Sequence, residues 1–321
     1  MPSSVDRAVA RDTVIPGQVG DIPRSGPAKH KKMWRIWGGV CFAIVLLGAF
    51  AQPLLALINY AAGSNLFSYI LLIPFVSVYL LYIRRDQLPK AYVVDLPFAI
   101  GFLAAGFGVL AFSYWLRFGE HSSARADYLA LQTLSFLCCL AAGGFFFFGR
   151  AWMHSAAFPL AYLLFMVPMP DPMRDALELA SKSASAEVAN LLFHLSGTPF
   201  LRDGDVFQLP NITIQVAQEC SGIRSSLVLV MTSILAANLF LKTSLRRVVL
   251  VALVIPLGIL RNGFRILVIG LLCANVGPQM IHGPIHTRGG PVFFILSLIP
   301  LLLLLWWLNR SETRTGSLKS R

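Results

Sequence analysis

Few side chains in this sequence can do covalent chemistry, and one of them stands apart. Of the five cysteines, Cys41, Cys138, Cys139 and Cys273 fall inside long apolar runs, where a thiol packs as a small apolar group. Cys220 instead lies in Gln218-Glu219-Cys220-Ser221-Gly222-Ile223-Arg224, between an alternating stretch (Ile212-Thr213-Ile214-Gln215-Val216) and an apolar run. That pattern predicts a strand-to-helix junction. The N–H groups and dipole at a helix N-terminus would lower a thiol pKa there. Ser221 can cap the helix, and Gly222 permits close approach of another backbone. Spacing alone leaves Cys220 open between a nucleophile and a buried junction residue. With no CxxC pair and no regular spacing, the cysteines form neither a disulfide framework nor a zinc site.

Two further groups of the right kinds follow. Arg261-Asn262-Gly263-Phe264-Arg265-Ile266 places two arginines in an apolar run, where each is expensive. Snorkelling suits one of them and less easily both. Asn262 and Arg265 are three apart and share a helix face, where a guanidinium can present several donors to a carbonyl oxygen. His282 and His286 bracket a loop containing Gly283-Pro284, which breaks the helix a two-histidine metal site would need. His286 fits better as an acid/base toward a thiol. His30, His121, His154 and His194 have no chemical neighbour in the sequence. Thiol, base and oxyanion donor are together the requirements of acyl transfer through a thioester.

These residues need positioning, and the composition says by what. In 321 residues, 56% are hydrophobic and 13% charged, too few charges to cover a soluble protein of this size. A bilayer core takes about 20 apolar residues per helix. Eight such runs are expected: 34–58, 66–83, 93–116, 128–148, 153–167, 223–241, 248–274 and 292–308. The net charge of +12 would suggest nucleic acid in a soluble chain. Here two thirds of the Lys and Arg fall on segments that a cytoplasmic N-terminus puts inside, and the outer side is neutral. The excess is therefore a topology signal for N-in, C-in, and no nucleic-acid partner is expected.

The expected fold is thus an all-α polytopic membrane protein with about eight spans. Residues 1–33 read as a disordered basic cytoplasmic tail, 34–308 as the membrane domain and 309–321 as a second basic tail. One long outer segment, 168–222, interrupts the spans. Pro168-Met169-Pro170-Asp171-Pro172 ends the fifth run. An amphipathic helix follows, with Leu177, Ala180, Ala184, Val188, Leu191, Leu192 and Leu195 on its apolar face, lying along the membrane surface. A β-hairpin turning at Asp203-Gly204 then leads to Cys220.

The same residues make the chain resemble the exosortase/archaeosortase family, specifically bacterial exosortases. The nucleophile motif resembles Val216-Ala217-Gln218-Glu219-Cys220-Ser221-Gly222-Ile223-Arg224, the arginine motif Asn262-Gly263-Phe264-Arg265-Ile266, and the histidine motif His286-Thr287-Arg288-Gly289-Gly290. Two upstream segments, Phe67–Phe75 and Phe158–Phe165, are similar to the family as well. The likeness runs from about residue 60 to 306. Gln218-Glu219 stands where many members have Glu-Ala, and Tyr69-Ile70 follows Ser68 where many have His-Gly.

The resemblance implies a cysteine endopeptidase/transpeptidase of the bacterial inner membrane, with its site on the periplasmic side. Cys220 would be the nucleophile, Arg265 the oxyanion or substrate-orienting donor and His286 the acid/base. Arg224, Asn262, Ser221, Gly222 and Gly290 would be auxiliary motif residues. No cofactor or metal is implied. The partners would be exported proteins with a C-terminal sorting signal (a short motif such as Pro-Glu-Pro, an apolar helix and an Arg cluster), and a surface glycan or other acceptor nucleophile. The alternative from another class is a transporter or channel binding an anion at Arg261 and Arg265, although no internal repeat is evident.

Overall fold

The structure, a computed structural model, describes residues 27–64, 66–89, 93–118, 125–210, 212–216, 222–277, 279 and 290–319. It is a polytopic, almost wholly helical membrane protein. All eight predicted apolar runs are helical, but only five helices are by themselves long and apolar enough to cross a bilayer among the described residues. These are α4 (Leu96–Phe118), α5 (Arg125–Phe147), α9 (Ile223–Phe240), α10 (Ser244–Asn275) and α11 (Gly290–Lys319). The last helix runs on to Lys319, and the first begins at Pro27, inside the segment expected as a tail.

The first and fifth runs are broken, and proline explains both breaks. The first run divides into α1 (Pro27–Ala49) and α2 (Ala51–Gly63), bent by 67°. A proline inside a helix clashes with the carbonyl four residues earlier. For Pro53 that residue is Ala49, where α1 ends. The fifth run divides into α6 (Gly149–Ser155), α7 (Ala157–Tyr162) and a 3-10 turn, Leu163–Met166. Four residues before Pro159 is Ser155, the last residue of α6. Pro256 and Pro300, by contrast, lie inside α10 and α11.

Packing divides the helices into groups. Leu46 of α1 and Phe50, at the break before α2, meet Phe136, Leu137 and Cys139 of α5. The second run, a 3-10 turn (Ser68–Leu72) leading into α3 (Ile73–Ile83), packs with α2, α5, α7 and the 3-10 turn after it around Leu57, Phe67, Leu80, Leu129, Tyr162 and Met166. Met231 of α9 joins that cluster. On the other side α9, α10 and α11 pack through Leu229, Ala237, Leu250, Val254, Leu301 and Leu305. The Glu312 carboxylate of α11 accepts the backbone N–H groups of Lys242 (3.0 Å) and Thr243 (2.7 Å), which satisfies donors at the start of α10.

At 32 residues, α10 is about 48 Å long, against a bilayer core of about 30 Å. Its surplus turns carry a cap built from the long segment between α7 and α9. Helix α8 (Asp171–Leu195) is followed by β1 (Leu201–Asp203), β2 (Val206–Leu209) and β3 (Ile212–Gln215). The expected hairpin at Asp203-Gly204 forms and continues into a third strand, giving an antiparallel sheet in the order β1-β2-β3. Its register pairs Arg202 with Phe207, and Phe207 with Ile214. Ala186, Ala189 and Phe193 of α8, Phe207 and Ile214 of the sheet, and Ile266 and Leu267 of α10 form one buried cluster. Lys182–Asp205 (2.8 Å) and a bidentate Arg202–Glu187 pair fasten α8 to the sheet.

Helix α8 meets α10 through only part of its predicted apolar face, Val188 and Leu192. The buried positions are Ser185, Ala186, Ala189 and Phe193, whereas Leu177, Leu191 and Leu195 are exposed. Small residues win because α8 lies close against glycines of α10. A Cβ at Gly263 would stand 2.5 Å from Val188 Cγ1 and 3.2 Å from the Ala189 nitrogen.

Candidate active site

Two ends of the nucleophile motif are anchored. Val216, buried at the end of β3, donates its N–H to the Asp205 carbonyl (3.0 Å), in the turn that also holds Lys182. On the other side Gly222 adopts a left-handed φ of 68° and starts α9, with no side chain of its own to cap the helix. The sequence between them, including Cys220 and Ser221, lies outside the described residues, as does His286. The expected strand-to-helix junction is borne out at both flanks.

Gly222 is where the second motif arrives. A Cβ there would lie 2.8 Å from Asn262 Oδ1 and 3.1 Å from Arg261 Nη2, so this turn needs glycine for its φ and for its space. Arg261 Nη2 donates to the Gly222 carbonyl (3.2 Å) and to Ser226 Oγ (3.2 Å). Both Arg261 and Asn262 are buried, at 8% and 2% exposure. Arg261 lies 17 residues beyond Ser244, or about 26 Å along α10. Arg265, one turn further on, is half-buried and extends the same run of polar groups toward the cap.

The first family-like segment converges on the same helix. Arg224, in the first turn of α9, donates from Nη2 to Ser68 Oγ at 3.4 Å, the long end of hydrogen-bond range. The second upstream segment supports it from behind. Ser77 Oγ donates to the Pro159 carbonyl (2.7 Å), and Phe158, Leu163 and Phe165 pack on the cluster that holds Phe67. Gly290 opens α11, and a Cβ added there would meet nothing within 4 Å among the described residues.

A scan against protein families matches residues 58–303 to the transmembrane exosortases. The chain belongs to this family. No curated protein and no solved structure gives a match. Membership in the exosortases leaves the transporter alternative without favour, and it matches the convergence of motif segments on the start of α9. At this candidate site, Arg261 and Ser226 are the residues that the motifs named from the sequence do not include. Arg261 has a signal in the sequence, as one of two arginines that cannot both snorkel easily. Ser226 has none, because one serine a turn into an apolar helix resembles any other small polar residue. Size does not mark the site either. A cavity of about 1020 Å³ between α1, α2, α4 and α5 is lined by Phe42, Leu46, Phe107, Arg125 and Gln132, on other helices.

Proposed function

We propose that this exosortase is a cysteine transpeptidase that cleaves C-terminal sorting signals of exported proteins and passes them to a surface acceptor. The Cys220 thiolate attacks the carbonyl carbon of the scissile peptide bond, and Arg265 donates to the oxygen as negative charge forms there. The C–N bond then breaks, the amine leaves with a proton from His286, and the acyl group remains on Cys220 as a thioester. An acceptor nucleophile attacks the thioester, gives its proton to His286 and releases the thiolate. Arg224, Asn262, Ser221, Gly222 and Gly290 shape the site around these three.

The supporting observation is the seating of Asn262, three residues before Arg265, against Gly222, two residues after Cys220. It joins the arginine motif to the start of the helix that follows the nucleophile motif. Substrates on this reading carry a short motif, an apolar helix and an Arg cluster, and the acceptor is a surface glycan or another nucleophile. The site faces the periplasm from the inner membrane. Residues 34–308 form the membrane domain in eight passes, N-in and C-in, between the basic tails 1–33 and 309–321. Reporter fusions after Arg85, Arg202 and Arg310 test that topology, with only the second expected outside.

The reaction is tested by Cys220→Ala. The variant should enter the membrane at wild-type levels while uncleaved substrate accumulates. Normal processing by a well-expressed Cys220→Ala protein overturns the proposal.

A further inference from the structure

In α10 the Arg261 guanidinium is buried and only half used. Nη2 meets two acceptors at the start of α9, the Gly222 carbonyl and Ser226 Oγ. Nη1 is buried and has no hydrogen-bond partner among the described residues. A buried charged donor left unmet is costly, about 1–3 kcal/mol or more. A residue serving only to staple α9 to α10 would gain nothing from that arrangement. The donor also lies at the N-terminus of an 18-residue helix, where backbone N–H groups and the helix dipole favour negative charge. Positive charge and an unmet donor at one place suit an oxygen that becomes anionic during the reaction.

We infer that Arg261 is a second arginine of the reaction site: Nη2 fixes the Gly222 turn, two residues after Cys220, and Nη1 donates to the substrate's acyl oxygen. The inference rests on the cysteine-transpeptidase reading above and adds a donor to the one assigned to Arg265. When sulfur bonds to the carbonyl carbon, the carbonyl π pair moves onto that oxygen, and it returns when the C–N bond breaks. Arg261 contributes hydrogen bonds throughout and exchanges no proton. A guanidinium can serve Gly222 and the substrate at once through two nitrogens; a lysine ammonium is a single point and cannot span both.

The test uses the full-length enzyme in detergent and a purified exported reporter ending in a Pro-Glu-Pro motif, an apolar helix and an Arg cluster. For Arg261→Gln the expected result is a loss in kcat of about 100-fold or more with KM within about threefold, the pattern of a donor used only in the transition state. Arg261→Lys should unfold at the wild-type temperature yet recover less than a tenth of the lost rate. Wild-type kcat in Arg261→Gln overturns the inference. So does a lysine variant that restores rate and thermal stability together, or one that fails to fold, since either assigns Arg261 to structure alone. If the Gln variant does not fold, the Lys variant decides by the same criterion. Cleavage by Cys220→Ala would instead defeat the parent reading, whatever Arg261 does.

Discussion

Phe193 of α8 occupies the space that Gly270 of α10 leaves open: a Cβ on Gly270 would stand 2.5 Å from Phe193 Cζ. Phe193 is fully buried and is held among Phe200 and Phe207, with ring centroids 5.4 and 5.5 Å away, so its ring has nowhere to swing. Gly270→Ala therefore sets two effects against each other. Alanine favours the helix by about 1 kcal/mol, and overpacking costs about 1–3 kcal/mol. The expected net is a loss of up to about 2 kcal/mol, seen as a lower thermal midpoint in detergent. Adding Phe193→Leu should recover part of it. Additive losses in the double variant would show that the two residues do not share this contact.

The bend after Ala49 makes a separate prediction. Pro53→Ala returns an N–H that can bond the Ala49 carbonyl and removes a penalty of about 3 kcal/mol for a continuous helix. The 67° angle between α1 and α2 should relax. Spin labels at the exposed Val45 and Ile58 should then move apart. An unchanged distance would assign the bend to the packing of Leu57 and Ala61 instead.

These two cases show what the sequence carries plainly and what it hides. The apolar runs are legible because a bilayer rewards apolar length, and every one is helical. Their interruptions are written in Pro53 and Pro159, but an average over an apolar window takes no account of a ring against a carbonyl four residues back. The contact face of α8 is not its leucine stripe: Val188 and Ala189 approach Gly263 and Phe193 fills the space at Gly270, while Leu177, Leu191 and Leu195 stay exposed. At the site, the motifs name Gly222 and Asn262 without showing that they touch. Contact between residues so far apart in the chain depends on how α9 and α10 cross, which no local pattern contains.

The cap should respond to acid through Glu187. Its carboxylate is held below the usual range by hydrogen bonds from the Arg202 guanidinium and by that group's charge. A carboxylate with a depressed folded pKa contributes stability above its unfolded pKa, about 4.3, and loses it as pH falls through the lower folded value. Glu187→Gln should thus lower the thermal midpoint slightly near pH 7, and the gap from wild type should close below about pH 4. High salt should also narrow it, since Glu187 is exposed. A gap that persists unchanged in acid would mean the substitution acts through something other than the charge.

Gly222→Ala is the sharpest probe of how α9 is launched. A left-handed backbone costs a residue with a Cβ about 1–2 kcal/mol, and the turn stands at φ 68°. The added carbon would also come within 2.8 Å of Asn262 Oδ1 and 3.1 Å of Arg261 Nη2, so the helix start must shift away from α10. Processing should fall at least about tenfold while α9 stays in the membrane, since Met231 and Leu229 anchor it in two apolar clusters. Asn262→Ala in the same chain removes the nearer clash but leaves the backbone strain. The double variant should regain thermal stability toward Asn262→Ala alone, by an amount that reports the clash. Wild-type processing by Gly222→Ala would show that the reaction tolerates a displaced turn, and that the seating of Asn262 against Gly222 is not what aligns the site.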